Sequence, residues 1–241
     1  MSALSRRLLA EFMGTALLVC AVVGSGIAAQ QLSPHDSGVQ LLENSTATVF
    51  GLGVLILILG PVSGAHFNPV VSVADWWAGR RRGTGLTATD LAAYVGAQVL
   101  GAVLGAVLAN IMFDQRAVQI STHHRVTTGH LVGEVVATAG LIAVIFALAR
   151  TGRAAMSAAA VAAYIGAAYW FTSSTSFANP AVTIGRIFSD TFSGIAPASV
   201  PAFIAAQILG AGIGFALIGL LYPDPAPAEN IGTPHPVPGP A

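Results

Sequence analysis

The chain has 241 residues, of which 54% are hydrophobic and only 8% charged, with a mean hydropathy of +0.74; that balance excludes a water-soluble globular domain. Ten arginines offset ten acidic residues and no lysine occurs, which leaves no basic surface for a nucleic acid. Cys20 is alone in an apolar run, so an internal disulfide is excluded and a metal or redox centre is not expected.

A membrane-crossing helix takes roughly 20 mainly apolar residues. The first candidate, about 8–29, follows Arg6 and Arg7 and ends in small residues, as a cleavable signal peptide does. Glu11 sits early in that run and the run is long for a signal core, so it reads as a span. The second candidate is 45–61. Asn44-Ser45-Thr46 matches a glycosylation acceptor, but it abuts this span and reads as the start of its helix. Next comes Ser63-Gly64-Ala65-His66-Phe67-Asn68-Pro69-Val70, followed by a short helical stretch, 68–77, that is too short to cross. Trp76 and Trp77 beside Arg80, Arg81 and Arg82 read as interface anchors.

The third span is 91–113. A loop with His123, His124 and His130 follows; no acidic or Cys partner lies nearby, so these read as loop residues rather than a metal site. Spans four and five are 131–150 and 154–171. A second broken segment then appears, Ser176-Phe177-Ala178-Asn179-Pro180-Ala181-Val182, with a short helix over 179–188. The last span is 200–222. Beyond it, residues 223–241 hold seven prolines and read as a disordered tail.

Paired broken segments in the two halves of a membrane protein mark where the solute is handled. Asn is a favoured N-cap and Pro a favoured first helical residue, so each Asn-Pro starts a helix at membrane depth. If the Asn oxygen caps its own helix, its NH₂ group is free for a solute. The halves also match elsewhere. Glu11-Phe12-Met13-Gly14-Thr15 parallels Glu134-Val135-Val136-Ala137-Thr138, and the segments around Gln98 and Gln207 run in step. Repeat one is about 8–113 and repeat two about 131–222. Three spans per half invert the second repeat, so the half-helices enter from opposite sides and their positive ends meet. With the N-terminus inside, seven arginines fall on the cytoplasmic side and three outside. That predicts a multi-pass protein of the inner (plasma) membrane with both termini cytoplasmic.

The two Asn-Pro signals, the Glu-x-x-x-Thr starts, the paired glutamines and the inverted repeat resemble the major intrinsic protein family, the aquaporins and aquaglyceroporins. The resemblance spans nearly everything from Glu11 to Tyr222. It implies an all-α membrane protein: six transmembrane helices and two re-entrant half-helices in a right-handed bundle, one pore per subunit, usually four subunits. Val70 departs from the Ala that usually completes the first motif. The resemblance also implies that Asn68 and Asn179 form the central constriction. Glu11 and Glu134 would accept hydrogen bonds from irregular backbone, helped by Gln98 and Gln207, and His66 would be a satisfied structural histidine.

Counting from the motifs, the family's outer filter maps to Thr48, Ala167, Ser176 and Val182. The last position carries Arg in most members. Thr, Ala, Ser and Val predict a wide filter without a guanidinium, as in a bacterial subgroup of aquaglyceroporins linked to arsenic handling. The solutes so implied are neutral trihydroxy-arsenite, glycerol-like polyols and water. Arg186 lies one helical turn beyond Val182, either at an outer vestibule or in an exposed pair with Asp190. The glycines at 101, 105, 210 and 214 read as helix-packing contacts. Alternatives are a secondary transporter, which also uses inverted repeats, and a plain glycerol and water facilitator with no arsenic role. No nucleophile–base pair or metal cluster appears, so neither enzyme activity nor a cofactor is expected.

Overall fold

The computed structural model describes residues 1–80 and 84–222, and among these every regular element is a helix. They run α1 (Ala3–Leu32), α2 (Ser37–Ser63), α3 (Pro69–Gly79), α4 (Ala88–Met112), α5 (Thr128–Arg150), α6 (Ser157–Phe171), α7 (Pro180–Gly185) and α8 (Val200–Leu221). Single 3₁₀ turns precede α6 and α8, and another, Arg186–Phe188, extends α7. Six helices are long and apolar enough to cross a membrane; α3 and α7 are not. The Pro-rich tail, Arg81 and Arg82 lie outside the described residues.

Helix α2 starts at Ser37, ahead of the expected 45, because Asp36 caps it by accepting the Val39 N–H at 3.0 Å. Asn44 is therefore inside the helix rather than at its start. It is buried, and its Nδ2 donates to the Val22 carbonyl and to Ser25 Oγ, both at 2.8 Å. A buried amide needs partners for both hydrogens, and with both supplied Asn44 offers no glycan acceptor. The expected helix start at Asn44 is corrected.

The two halves are built alike: span, span, half-helix, span. The most extensive contacts pair α1 with α4 and α5 with α8, the first and last spans of each repeat. Glycines permit this closeness. A Cβ on Gly105 would lie 2.1 Å from the Ala16 carbonyl, and one on Gly214 would lie 2.3 Å from the Ala139 carbonyl. No real Cβ tolerates such an approach, so the backbones of these pairs touch only because both positions lack a side chain. At the centre of each half the fully buried residues are polar: Glu11 and Gln98 in one, Glu134 and Gln207 in the other. Large apolar side chains such as Phe50, Leu57, Leu100, Ile208 and Leu220 face outward, which is the arrangement a lipid surround requires.

Candidate functional site

Each half-helix begins where its sequence signal lies. Asn68 caps α3, its Oδ1 accepting the Val70 N–H at 3.1 Å, and Pro69 is the first helical residue. Asn179 caps α7 in the same way, accepting from Ala181 at 2.9 Å and Val182 at 3.2 Å. The two N-termini face one another and exchange bonds. Asn68 Nδ2 donates to the Ala178 carbonyl and Asn179 Nδ2 to the Phe67 carbonyl, both at 2.8 Å. The NH₂ groups are thus not wholly free, as the sequence suggested. One hydrogen of each ties the half-helices together, and the other remains.

The chain ahead of each Asn is strained in the same places. Ala65 and Phe67 have φ of 49° and 48°, and Ser176 and Ala178 have 51° and 47°. Non-glycine residues there cost of order 1–3 kcal/mol each and persist only when their surroundings hold them. A buried carboxylate does so in each half. Glu11 accepts from Ser63 Oγ (2.6 Å), the backbone N–H of His66 (2.9 Å) and Phe67 (2.7 Å), and Gln98 Nε2 (2.7 Å). Glu134 accepts the N–H of Phe177 (2.8 Å) and Ala178 (2.9 Å) and Gln207 Nε2 (2.6 Å). Gln98 and Gln207 each also reach the half-helix, at Ser72 Oγ and Thr183 Oγ1, both 2.9 Å away. His66 Nδ1 lies 3.0 Å from Ser72 Oγ, while its Nε2 has no protein partner and the residue lines the cavity described next. The expectation of a fully satisfied histidine is therefore corrected.

A cavity of about 90 Å³ threads past both asparagines, lined from Ser157 and Val161 at one end to Thr48 and Arg186 at the other. Thr48, Ser176 and Val182 line it. Ala167 does not: it is exposed on the outer side of α6. Ile165 and Tyr169 point inward instead, and the Tyr169 hydroxyl lies 3.2 Å from Thr48 Oγ1. Of the two places offered for Arg186, it takes the one beside the cavity. It is only 2% exposed, its guanidinium carbon lies 3.5 Å from the Phe177 ring centroid, and its Nε donates to the Ser193 carbonyl.

The exposed pair with Asp190 does not form. Asp190 accepts the backbone N–H of Thr122 at 2.8 Å, which holds its carboxyl below the usual carboxylate range, and His123 lies 4.0 Å away. None of the mapped filter positions carries a guanidinium, but a tyrosine and an arginine from other positions line the same cavity. Sequence reasoning also passed over Phe177 and Arg125. An aromatic two residues before the second Asn and an arginine in an otherwise uncharged stretch of loop were the available signals.

The family model described as Major intrinsic protein matches residues 1–175. Aquaglyceroporin AqpS of Rhizobium meliloti (strain 1021) is 47% identical over 235 residues, 98% of either chain. Aquaporin-2 of Rattus norvegicus is 37% identical over 153 residues, 60% of this chain and 52% of its own. The solved aquaglyceroporin from Plasmodium falciparum shares the fold, with a TM-score of 0.62 at 20% identity over 90% of this chain and 95% of that one.

Proposed function

The chain belongs to the major intrinsic protein family, and from that premise we propose that it is a passive channel for small uncharged solutes. It is a multi-pass membrane protein of a family that conducts water and small solutes. The proposed solutes are trihydroxy-arsenite, glycerol-like polyols and water. Residues 1–222 act as one pore unit, and four copies associate in the inner (plasma) membrane with both termini cytoplasmic.

The observation that carries this reading is the reciprocal bond between the two half-helix N-termini across one cavity. Each end carries roughly half a positive charge. The remaining amide hydrogens of Asn68 and Asn179 would donate to hydroxyl oxygens of a passing solute, while the paired dipoles oppose cations and protons. Among the described residues no carboxylate lines the cavity. A cation-coupled transporter holds its ion or proton with an acidic group at membrane depth, so the lack of one in this lining favours the channel reading over the transporter.

Thr48, Tyr169, Ser176, Val182 and Arg186 would form the outer constriction. Val182 leaves vacant the volume that an arginine at its position would fill, and Arg186 brings a guanidinium from one turn farther along. Stopped-flow light scattering on proteoliposomes with water, glycerol, urea and arsenite tests this. Expected is rapid equilibration of the neutral solutes. Accumulation against a gradient, or counterflow stimulated by internal solute, would overturn the channel reading. Water and glycerol flux without arsenite flux would leave a plain facilitator.

A further inference from the structure

Arg125 lies beside the strap that holds Arg186 and is not among the residues lining the cavity. Arg186 reaches the cavity from the 3₁₀ turn after α7, and two contacts hold it: the Phe177 ring and the Ser193 carbonyl. Ser193 lies in a segment, 189–196, that has no helix of its own. That segment turns through one backbone bond, from the Gly194 N–H to the Thr191 carbonyl at 2.8 Å. A carbonyl on such a segment points where its neighbouring peptide groups are held.

Those neighbours' carbonyls are held by Arg125, while the Phe192 N–H donates to Gln30 Oε1 at 2.9 Å. The Arg125 Nε donates to the Gly194 carbonyl at 2.6 Å and its Nη2 to the Phe192 carbonyl at 2.8 Å, so one guanidinium grips the carbonyls on either side of Ser193. Consecutive carbonyls of one strap are thus divided between two arginines. Arg125 is itself fixed, its backbone N–H donating to Ser199 Oγ at 3.0 Å and its carbonyl lying 2.6 Å from His130 Nδ1. Its guanidinium carbon is 5.3 Å from the same Phe177 ring that Arg186 stacks on at 3.5 Å. Among the described residues neither arginine forms an ion pair with a carboxylate.

Two guanidinium groups against one ring repel each other, a cost that an uncharged loop anchor would avoid. What the arginine supplies in return is a rigid fork with two donors at fixed spacing, which neither a lysine nor a single amide reproduces. The lining of the cavity does not include Arg125. The strap is what connects it to the lining.

We propose that Arg125 is a positioning residue for the outer constriction, setting through the Phe192–Ser193–Gly194 strap where the Arg186 guanidinium sits and so which solutes pass. This rests on the placement of Arg186 in the constriction under the proposed function. The test measures glycerol and water permeability in proteoliposomes, normalised to reconstituted protein, for Arg125→Gln, Arg125→Lys, Arg186→Ala and Arg125→Gln combined with Arg186→Ala. A released or removed Arg186 widens the throat. Arg125→Gln is therefore expected to raise the glycerol-to-water ratio about fivefold, in the same direction as Arg186→Ala, and to add nothing once residue 186 is Ala. Arg125→Lys keeps the charge without the fork and is expected to give a smaller rise; it carries the test if the Gln variant does not insert. A general loosening would lower or raise both permeabilities together. An unchanged ratio in Arg125→Gln, or an equal shift in the Arg186→Ala background, overturns the positioning role. If Arg186→Ala alone leaves the ratio unchanged, residue 186 is not in the constriction, and both proposals about it fail.

Discussion

The two half-helix junctions carry the same frame and opposite furniture. In each, an aromatic pair stands beside the Asn: His66 with Tyr94 at 5.5 Å between ring centroids, and Phe177 with Phe203 at 5.2 Å. Seven residues past Asn68 is Asp75, and seven past Asn179 is Arg186. Asp75 accepts the Leu86 N–H at 3.0 Å and closes the turn after α3, away from the cavity. Arg186 turns into the cavity and is braced by the strap. The first junction also has a hydroxyl that the second lacks. Tyr94 donates to the Ser63 carbonyl at 2.9 Å and accepts from Arg7 Nε at 2.8 Å, whereas Phe203 offers nothing comparable. The difference teaches a division of labour. Groups repeated in both halves (Asn, Glu, Gln and the strained backbone) hold the two helix ends together. Groups that differ mark one mouth from the other.

Breaking the shared frame should cost most. Glu11→Ala orphans four buried donors at roughly 1 kcal/mol or more each, so a loss of at least about 4 kcal/mol is expected, against about 3 kcal/mol for Glu134→Ala with three. Thermal unfolding in detergent checks the order. Next comes Asn68→Asp or Asn179→Asp, in which a carboxylate has no N–H to offer the opposing carbonyl and places a negative charge between two positive helix ends. Neutral-solute flux should fall about tenfold or more, or cations should enter. Unchanged flux with unchanged cation exclusion in both variants would refute the central constriction.

Val182→Arg sharpens the asymmetry by adding a second guanidinium to the throat. Glycerol permeability should fall severalfold more than water permeability, and equal ratios would remove residue 182 from the constriction. Smallest is Tyr94→Phe, which makes the first junction like the second. Its cost should be about 1–2 kcal/mol, the worth of the two hydrogen bonds its hydroxyl makes, with solute ratios unaltered.

Most of the frame was legible in the sequence because it is written twice. The spans follow from apolar length, and Asn-Pro gives the two interior helix starts with their first residue. The glycines and glutamines at matching offsets expose the repeat. The mouth was less legible for geometric reasons. Each residue turns an α-helix by about 100°, so a position displaced by two rotates through about 200°. Counting back to Ala167 therefore landed on the outward face, while Ile165 and Tyr169, one turn apart, share the inward one. The burial of Arg186 was illegible for another reason. Its burial depends on Ser193, Phe177 and Arg125, residues distributed over three segments, and no local pattern announces a carbonyl strap. Asn44 was misjudged because a single capping residue, Asp36, carries α2 back past it.

The paired carboxylates also dictate an order of events during synthesis. Glu11 enters the bilayer with α1, but the last of its four donors, Gln98, is 87 residues downstream. At ordinary elongation rates that interval is roughly 4–17 s. Helix α3 is too short to hold a place in the hydrocarbon by itself, with 11 residues covering about 16 Å of a core about 30 Å thick. Nothing can close the first repeat until its last span arrives and brings Gln98, together with the glycine face that lets α4 lie against α1. The second repeat has the same delay, with 73 residues between Glu134 and Gln207. Each repeat is thus the smallest piece of chain that brings its buried acid the full set of donors.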